Sequence, residues 1–119
     1  MEYIKIPDFD NDTLLKLNSS DQEVVILTIL SIVERSGNYD SAISVTRKFS
    51  DHHNEYIRGV AIECISHIAR LWNKLPDDLI EKVHDLLLYD SSDLVRDNAN
   101  DVINDLEIFI KGYKHRSSK

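Results

Sequence analysis

A chain of 119 residues, 42% hydrophobic and 29% charged, has the composition of one soluble globular domain and can bury roughly 65% of its unfolded surface. No apolar run approaches the ~20 residues of a membrane span, the start MEYIKIPDFD lacks the regions of a secretory signal, and Cys64 has no second cysteine to pair with, so the chain reads as cytoplasmic and reduced. The net charge of −7 is uneven: Lys111, Lys114, Arg116 and Lys119 crowd the end, and residues 1–110 carry −11, a body that repels nucleic-acid phosphates and suits a basic protein partner.

The first seven residues, MEYIKIP, alternate weakly and stop at Pro7, as an extended arm would. Asp12 is placed to cap a short helix, Thr13 to Leu17. Ser20 and Glu23 have the spacing of a capping box and open a strong helix from Asp21 to about Arg35, which Gly37 stops. A second helix is expected from about Asp40 to Phe49, with Ala42, Val45 and Phe49 inward and Ile43 on the flank. Asn54 then caps a long helix to about Trp72, on which Ile57, Ala61, Cys64, Ile65, Ile68 and Leu71 follow the 3.6-residue period. Pro76, Asp77 and Asp78 suit the first turn of a fourth helix that buries Leu79, Ile80, Val83, Leu86 and Leu87 and ends near Tyr89. The last helix runs from Ser92 to about Ile110, with Gly112 after it. Three glycines, two prolines and no long polar linker give an all-α chain with short connections: an arm and short helix over 1–18, a repeat domain over 19–112 and a basic tail over 113–119.

The long helices repeat. A shift of 38 lays Ile57-Arg58 over Val95-Arg96 and Ala61 over Ala99, and a shift of 35 lays Ile26 over Ala61 and Leu30 over Ile65. The stretch LLLYDSSDLVRDNA, Leu86 to Ala99, resembles the HEAT-repeat family, whose units often read L-L-x-D-x-[D/S/N]-x-x-V-R-x-x-A. Asp90, Ser92, Val95, Arg96 and Ala99 match, and Asn54, Ile57, Arg58 and Ala61 match in the copy before it, with Asp51 displaced by one residue. The resemblance implies a short α-solenoid of about two and a half helical hairpins. It also implies a ladder in which Arg58 and Arg96 pair with Asp51 and Asp90, and close helix approach at Ala61 and Ala99. These six residues are read as structural.

Site chemistry is sparse. His52 and His53 adjoin at a helix start and point apart, and neither HExxH nor CxxC spacing occurs, so no metal is expected. Cys64 falls on an apolar face, and the glycines are isolated, so no nucleophile, phosphate loop or cofactor is expected and the chain is not read as an enzyme. What stands out is acid. Asp93, Asp97, Asp101 and Asp105 recur every fourth residue, and seven acids face the single Arg96 between residues 83 and 110. Like charges at that spacing repel by a few tenths of a kcal/mol per pair. On a helical wheel they lie away from the apolar face. A second set, Asp78, Glu81 and Asp85 with Tyr89 a turn further on, marks the fourth helix, where Lys82 is in position to pair with Asp78. Asp78, Glu81, Asp85, Tyr89, Asp93, Asp97 and Asp101 are therefore the candidate partner-binding residues.

Small size, acidity and a HEAT-like build together resemble the bacterial immunity proteins of contact-dependent growth inhibition and related polymorphic toxin systems. That resemblance implies a protein that covers the active site of a basic, nuclease-type toxin domain, here through its acidic faces; a monomer or weak dimer is expected when it is free. The alternative is a HEAT-like scaffold or adaptor that assembles other proteins.

Overall fold

The computed structural model describes residues 5–113. Residues 1–4 of the expected arm and residues 114–119 of the basic tail lie outside the described residues. After an irregular segment comes a 3-10 turn at Thr13–Asn18, then five α-helices: α1 (Gln22–Arg35), α2 (Tyr39–Phe49), α3 (Glu55–Trp72), α4 (Asp77–Tyr89) and α5 (Asp93–Phe109). No strand forms among the described residues, so the chain is all-α.

Side chains set most of the helix starts. Asn54 accepts from the N–H groups of Tyr56 (2.8 Å) and Ile57 (3.2 Å), and Ser92 accepts from Val95 N–H (3.3 Å). Asn38 accepts from Ser41 N–H, which starts α2 one residue earlier than expected. At α1 the cap is Asp21, not Ser20. Ser19 Oγ accepts from Asp21 N–H and sets the turn one residue later, so that the Asp21 carboxylate meets the N–H groups of Glu23 and Val24. Asp12 does not cap the short helix. Asp10 takes the Asp12 N–H and the Thr13 hydroxyl instead, and the turn tightens to 3-10. Gly37 lies beyond α1 at φ +67°, where a side chain would be strained.

The helices form two layers. The odd-numbered helices lie side by side and parallel. Their N-terminal ends are joined by Asn54 Nδ2 donating to Gln22 Oε1 (2.8 Å) and by the Ser92 hydroxyl donating to Glu55 Oε1 (2.5 Å). Their C-terminal ends are joined by Arg70 to Glu34 (2.8 Å) and Asn73 to the Phe109 carbonyl (3.2 Å). The second layer is α2, packed on α1 and α3, and α4, packed on α5. Arg47–Asp78 ties α2 to α4, and Lys82–Asp51 ties α4 to the turn that follows α2. This arrangement is that of a short helical-repeat stack, 46 × 30 × 29 Å.

Small residues let the parallel helices approach. Ala61 and Ala99 are fully buried. A Cβ on Gly59 would sit 2.8 Å from Asn98 Nδ2, which donates to the Gly59 carbonyl at 3.2 Å. Because α3 has neighbours on both flanks and beneath, it buries more than a stripe: Ile62 and Ala69 join Ile57, Cys64, Ile65 and Ile68 inside. Leu71, expected inside, is 40% exposed. Ile43, placed on the flank by the sequence, is also buried. By contrast α4 has α5 as its main neighbour, and only Leu79 and Val83 are fully covered, with Ile80, Leu86 and Leu87 half-buried.

Asn54 joins a cap to a bond between helices. Asn54→Ala is expected to cost about 1–2 kcal/mol, more than a cap alone, since the Gln22 contact goes with it. Urea unfolding checks this: the midpoint drops at unchanged slope.

Candidate protein-binding face

The ion pairs of the repeat are internal. Arg58 grips Asp90 with two bonds, Nε to Oδ2 at 2.7 Å and Nη2 to Oδ1 at 2.8 Å, and Nη1 donates to the His52 carbonyl at 2.9 Å. The ladder thus runs forward: Arg58 reaches the aspartate of the next unit rather than Asp51 of its own. The reason is the one-residue displacement, which leaves Asp51 exposed and paired with Lys82, while His52 occupies the position equivalent to Asp90. His52 Nδ1 accepts from Asn54 N–H (3.0 Å) just as Asp90 Oδ1 accepts from Ser92 N–H (2.9 Å). Among the described residues no later unit offers Arg96 an aspartate. It donates to the Asp90 carbonyl (2.5 Å) and pairs with Asp93. The Arg58 guanidinium, bonded to a nearly buried Asp90, holds that carboxyl below the usual carboxylate range.

The acidic set on α4 is partly spent. Asp78 is held by Arg47 through two bonds of 2.8 and 2.9 Å, which keep its carboxyl below the usual range. Lys82 turns to Asp51, so the expected Asp78–Lys82 helix pair does not form. Glu81 and Asp85 are exposed, and Tyr89 is 80% exposed beside them. Arg47 and Lys82 thus bring positive charge onto this face.

The stripe on α5 is not a single face. A four-residue repeat on a 3.6-residue helix turns about 40° per step. Asp93 starts at the helix N-terminus against Arg96, Asp97 points to solvent, and Asp101 and Asp105 come round to the α3 side. There they meet Glu63, Ser66 and His67 in a groove of about 330 Å³ floored by Val102. Burial, then the nearby Asp101, raises the Glu63 carboxyl above its ordinary value. Across α3, Glu34 of α1 receives Arg70 at 2.8 Å and lies 2.5 Å from His67 Nδ1. Glu63, Asp97, Asp101 and Asp105 form no ion pair among the described residues. The structure therefore separates the seven candidate residues. Asp78 and Asp93 are occupied by arginines, Glu81, Asp85 and Tyr89 lie on α4, and Asp97 and Asp101 belong to an uncompensated acidic face. Sequence reasoning missed Glu63, Ser66, His67 and Glu34. The 38-residue shift carries a signal for two of them, because it sets Glu63 over Asp101 and His67 over Asp105.

Burial pushes the His67 imidazole below its ordinary value, against the pull of Glu34 and Asp105; Arg70 adds to the downward push. Burial does the same to His52, followed by His53 and Arg58. A histidine whose folded value is depressed stabilises the fold above its ordinary value, and that stability is lost as pH falls. The unfolding free energy is therefore expected to fall as pH drops below the ordinary histidine value of about 6.5. The drop is smaller in His67→Gln, as chemical denaturation at several pH values will read.

Among the described residues no group of three His, Cys, Asp or Glu side chains is placed to hold a metal ion. Cys64 is fully buried, with its thiol pushed up by burial.

No family model matches the sequence, and no curated protein matches it. A solved structure does resemble it: a chain in the crystal structure of a CDI complex from Cupriavidus taiwanensis LMG 19424. The TM-score is 0.77 at 23% identity, over 92% of this chain and 97% of that one. At that identity the likeness is one of fold.

Proposed function

We propose that this chain is a protein-binding inhibitor, an immunity protein that neutralises a basic, nuclease-type bacterial toxin by covering its active site. The observation that carries the reading is the fold likeness, over nearly the whole of both chains, to a chain of a CDI complex. The acidic face gives it a mechanism. Glu63, Asp97, Asp101 and Asp105 stand without ion pairs in the free protein among the described residues, so lysines and arginines of a partner would relieve their mutual repulsion. The field of a body at −11 over residues 1–110 speeds the encounter. The acids then occupy ground meant for nucleic-acid phosphates. Binding, not catalysis, is the activity, in the cytoplasm, with a free state that is monomeric or weakly dimeric.

Affinity purification of the tagged chain from its native cells at low salt, followed by mass spectrometry, tests this. The expected result is a stoichiometric basic protein, released by salt, that cuts nucleic acid once freed. Recovery of the chain alone sinks the reading. The scaffold alternative is favoured by Leu88 and Ile108, 60% and 72% exposed on the last hairpin. Oligomers that grow with concentration would decide for it.

A further inference from the structure

Among the described residues that line the groove between α3 and α5, only His67 can become a cation. It stands with Glu63, Asp101 and Asp105 around the floor at Val102. Glu34 meets it from α1, Asp105 from α5 and Arg70 along α3, with Glu63 one turn back; α2 lends no residue to the groove wall. The His67 side chain is 33% exposed, so water can bring it a proton.

Glu34 decides which ring nitrogen takes that proton. Its Oε2 lies 2.5 Å from His67 Nδ1, so Nδ1 carries the hydrogen of the neutral ring and donates it, while Nε2 keeps the lone pair. Arg70, 2.8 Å from the same oxygen, balances the charge of Glu34, which does not line the groove. The charge of the groove is therefore set by Glu63, Asp101 and Asp105, and by His67 when it is protonated. Burial, the largest influence, holds the His67 ring below its ordinary value against the pull of Glu34 and Asp105, and Arg70 adds to the push. At neutral pH the ring is thus uncharged and leaves those carboxylates uncompensated. A proton on Nε2 places a positive charge beside them.

We propose that His67 is a proton-driven switch on this groove: neutral, it leaves the acids to a basic partner; protonated, it supplies the cation from within and lets the partner go. The proposal rests on the binding reading above and adds its regulation by pH. A charge added about 6 Å from a bound cation, screened as in water, changes affinity about threefold.

The probe is a hexalysine peptide, titrated at low salt into the full-length chain between about pH 8 and 5 and followed by amide chemical shifts, with the His67 ring signals read in the same samples. At the upper end of that range shifts are expected around Glu63, Asp101 and Asp105. As pH falls, affinity drops about threefold in step with protonation of the His67 ring, beyond whatever is lost as the carboxylates take up protons. By linkage, saturating peptide lowers the His67 midpoint by about half a pH unit. His67→Gln keeps the carboxylate loss and removes the rest. Glu34→Gln, outside the groove, lowers the His67 midpoint and carries the affinity step down with it. Affinity that falls equally in the parent and in His67→Gln, or a His67 midpoint that ignores the peptide, overturns the switch and leaves the binding reading standing. A peptide that shifts none of the groove residues even at the upper end takes away the binding reading of this groove and the switch with it.

Discussion

Arg58→Ala and Asp90→Ala are each expected to lower the unfolding free energy by about 3 kcal/mol, near the bottom of the range for breaking one partner out of a buried ion pair. Side-chain exposure is only 13% for Arg58 and 5% for Asp90, so water cannot replace the lost partner. Each removal also strips a turn of its fastening. Without Arg58 the carbonyls of His52 and His53 lose their donor; without Asp90 the Ser92 N–H loses its acceptor at the start of α5. For a chain of this size the thermal midpoint should fall by about 10 °C or more. A double variant, Arg58→Met with Asp90→Leu, should recover part of the loss, because no charge is left buried alone. The same pair contributes to stability against acid. The folded-state value of Asp90 is depressed, so its contribution is present above the ordinary carboxylate value and is lost as pH falls through the folded one. Asp78, similarly depressed but more than half exposed, should matter far less: Asp78→Ala costs on the order of 0.5 kcal/mol in a thermal melt.

The Arg58–Asp90 pair shows what a sequence can and cannot carry. Arg58 and Asp90 were legible as structural residues because repeat register and a bidentate partner are sequence-level ideas. Their pairing was not, because it crosses from one unit to the next, and the shift of Asp51 by one residue is resolved only when His52 is seen taking its place. The helices and their order could be read from caps and period. The breadth of burial on α3 could not, since a period reveals one apolar stripe and α3 has three neighbours. Leu71 misled for a different reason: it keeps the period but sits in the last turn of α3, where it is left 40% exposed. At the binding face, the sequence showed a four-residue stripe and its repulsion, but the extra 40° per step is what carries Asp101 and Asp105 onto the α3 flank. The partners they meet there, Glu63 and His67, lie 38 residues away and are polar, so apolar register carries no sign of them.

Asp101→Lys, alone and with Asp105→Lys, should separate a functional acid from a solvated one. In the free protein Asp101 faces Glu63 and raises its value, so the reversal replaces repulsion with attraction. The variant should melt at a slightly higher temperature than the parent. Against the basic partner recovered from native cells, the double variant should associate about tenfold more slowly at low salt, and the deficit should shrink as salt rises. Reversal at Asp78 removes an exposed pair with Arg47 and frees that cation, so it should change stability little and association less than the α5 variants do. A face kept only for solubility would give the stability gain without the kinetic loss. That outcome would take the partner off α3 and α5 and move it to Glu81, Asp85 and Tyr89. Stabilisation and slowed binding in the same variant would mean that the repulsion along α5 is retained for the partner that neutralises it.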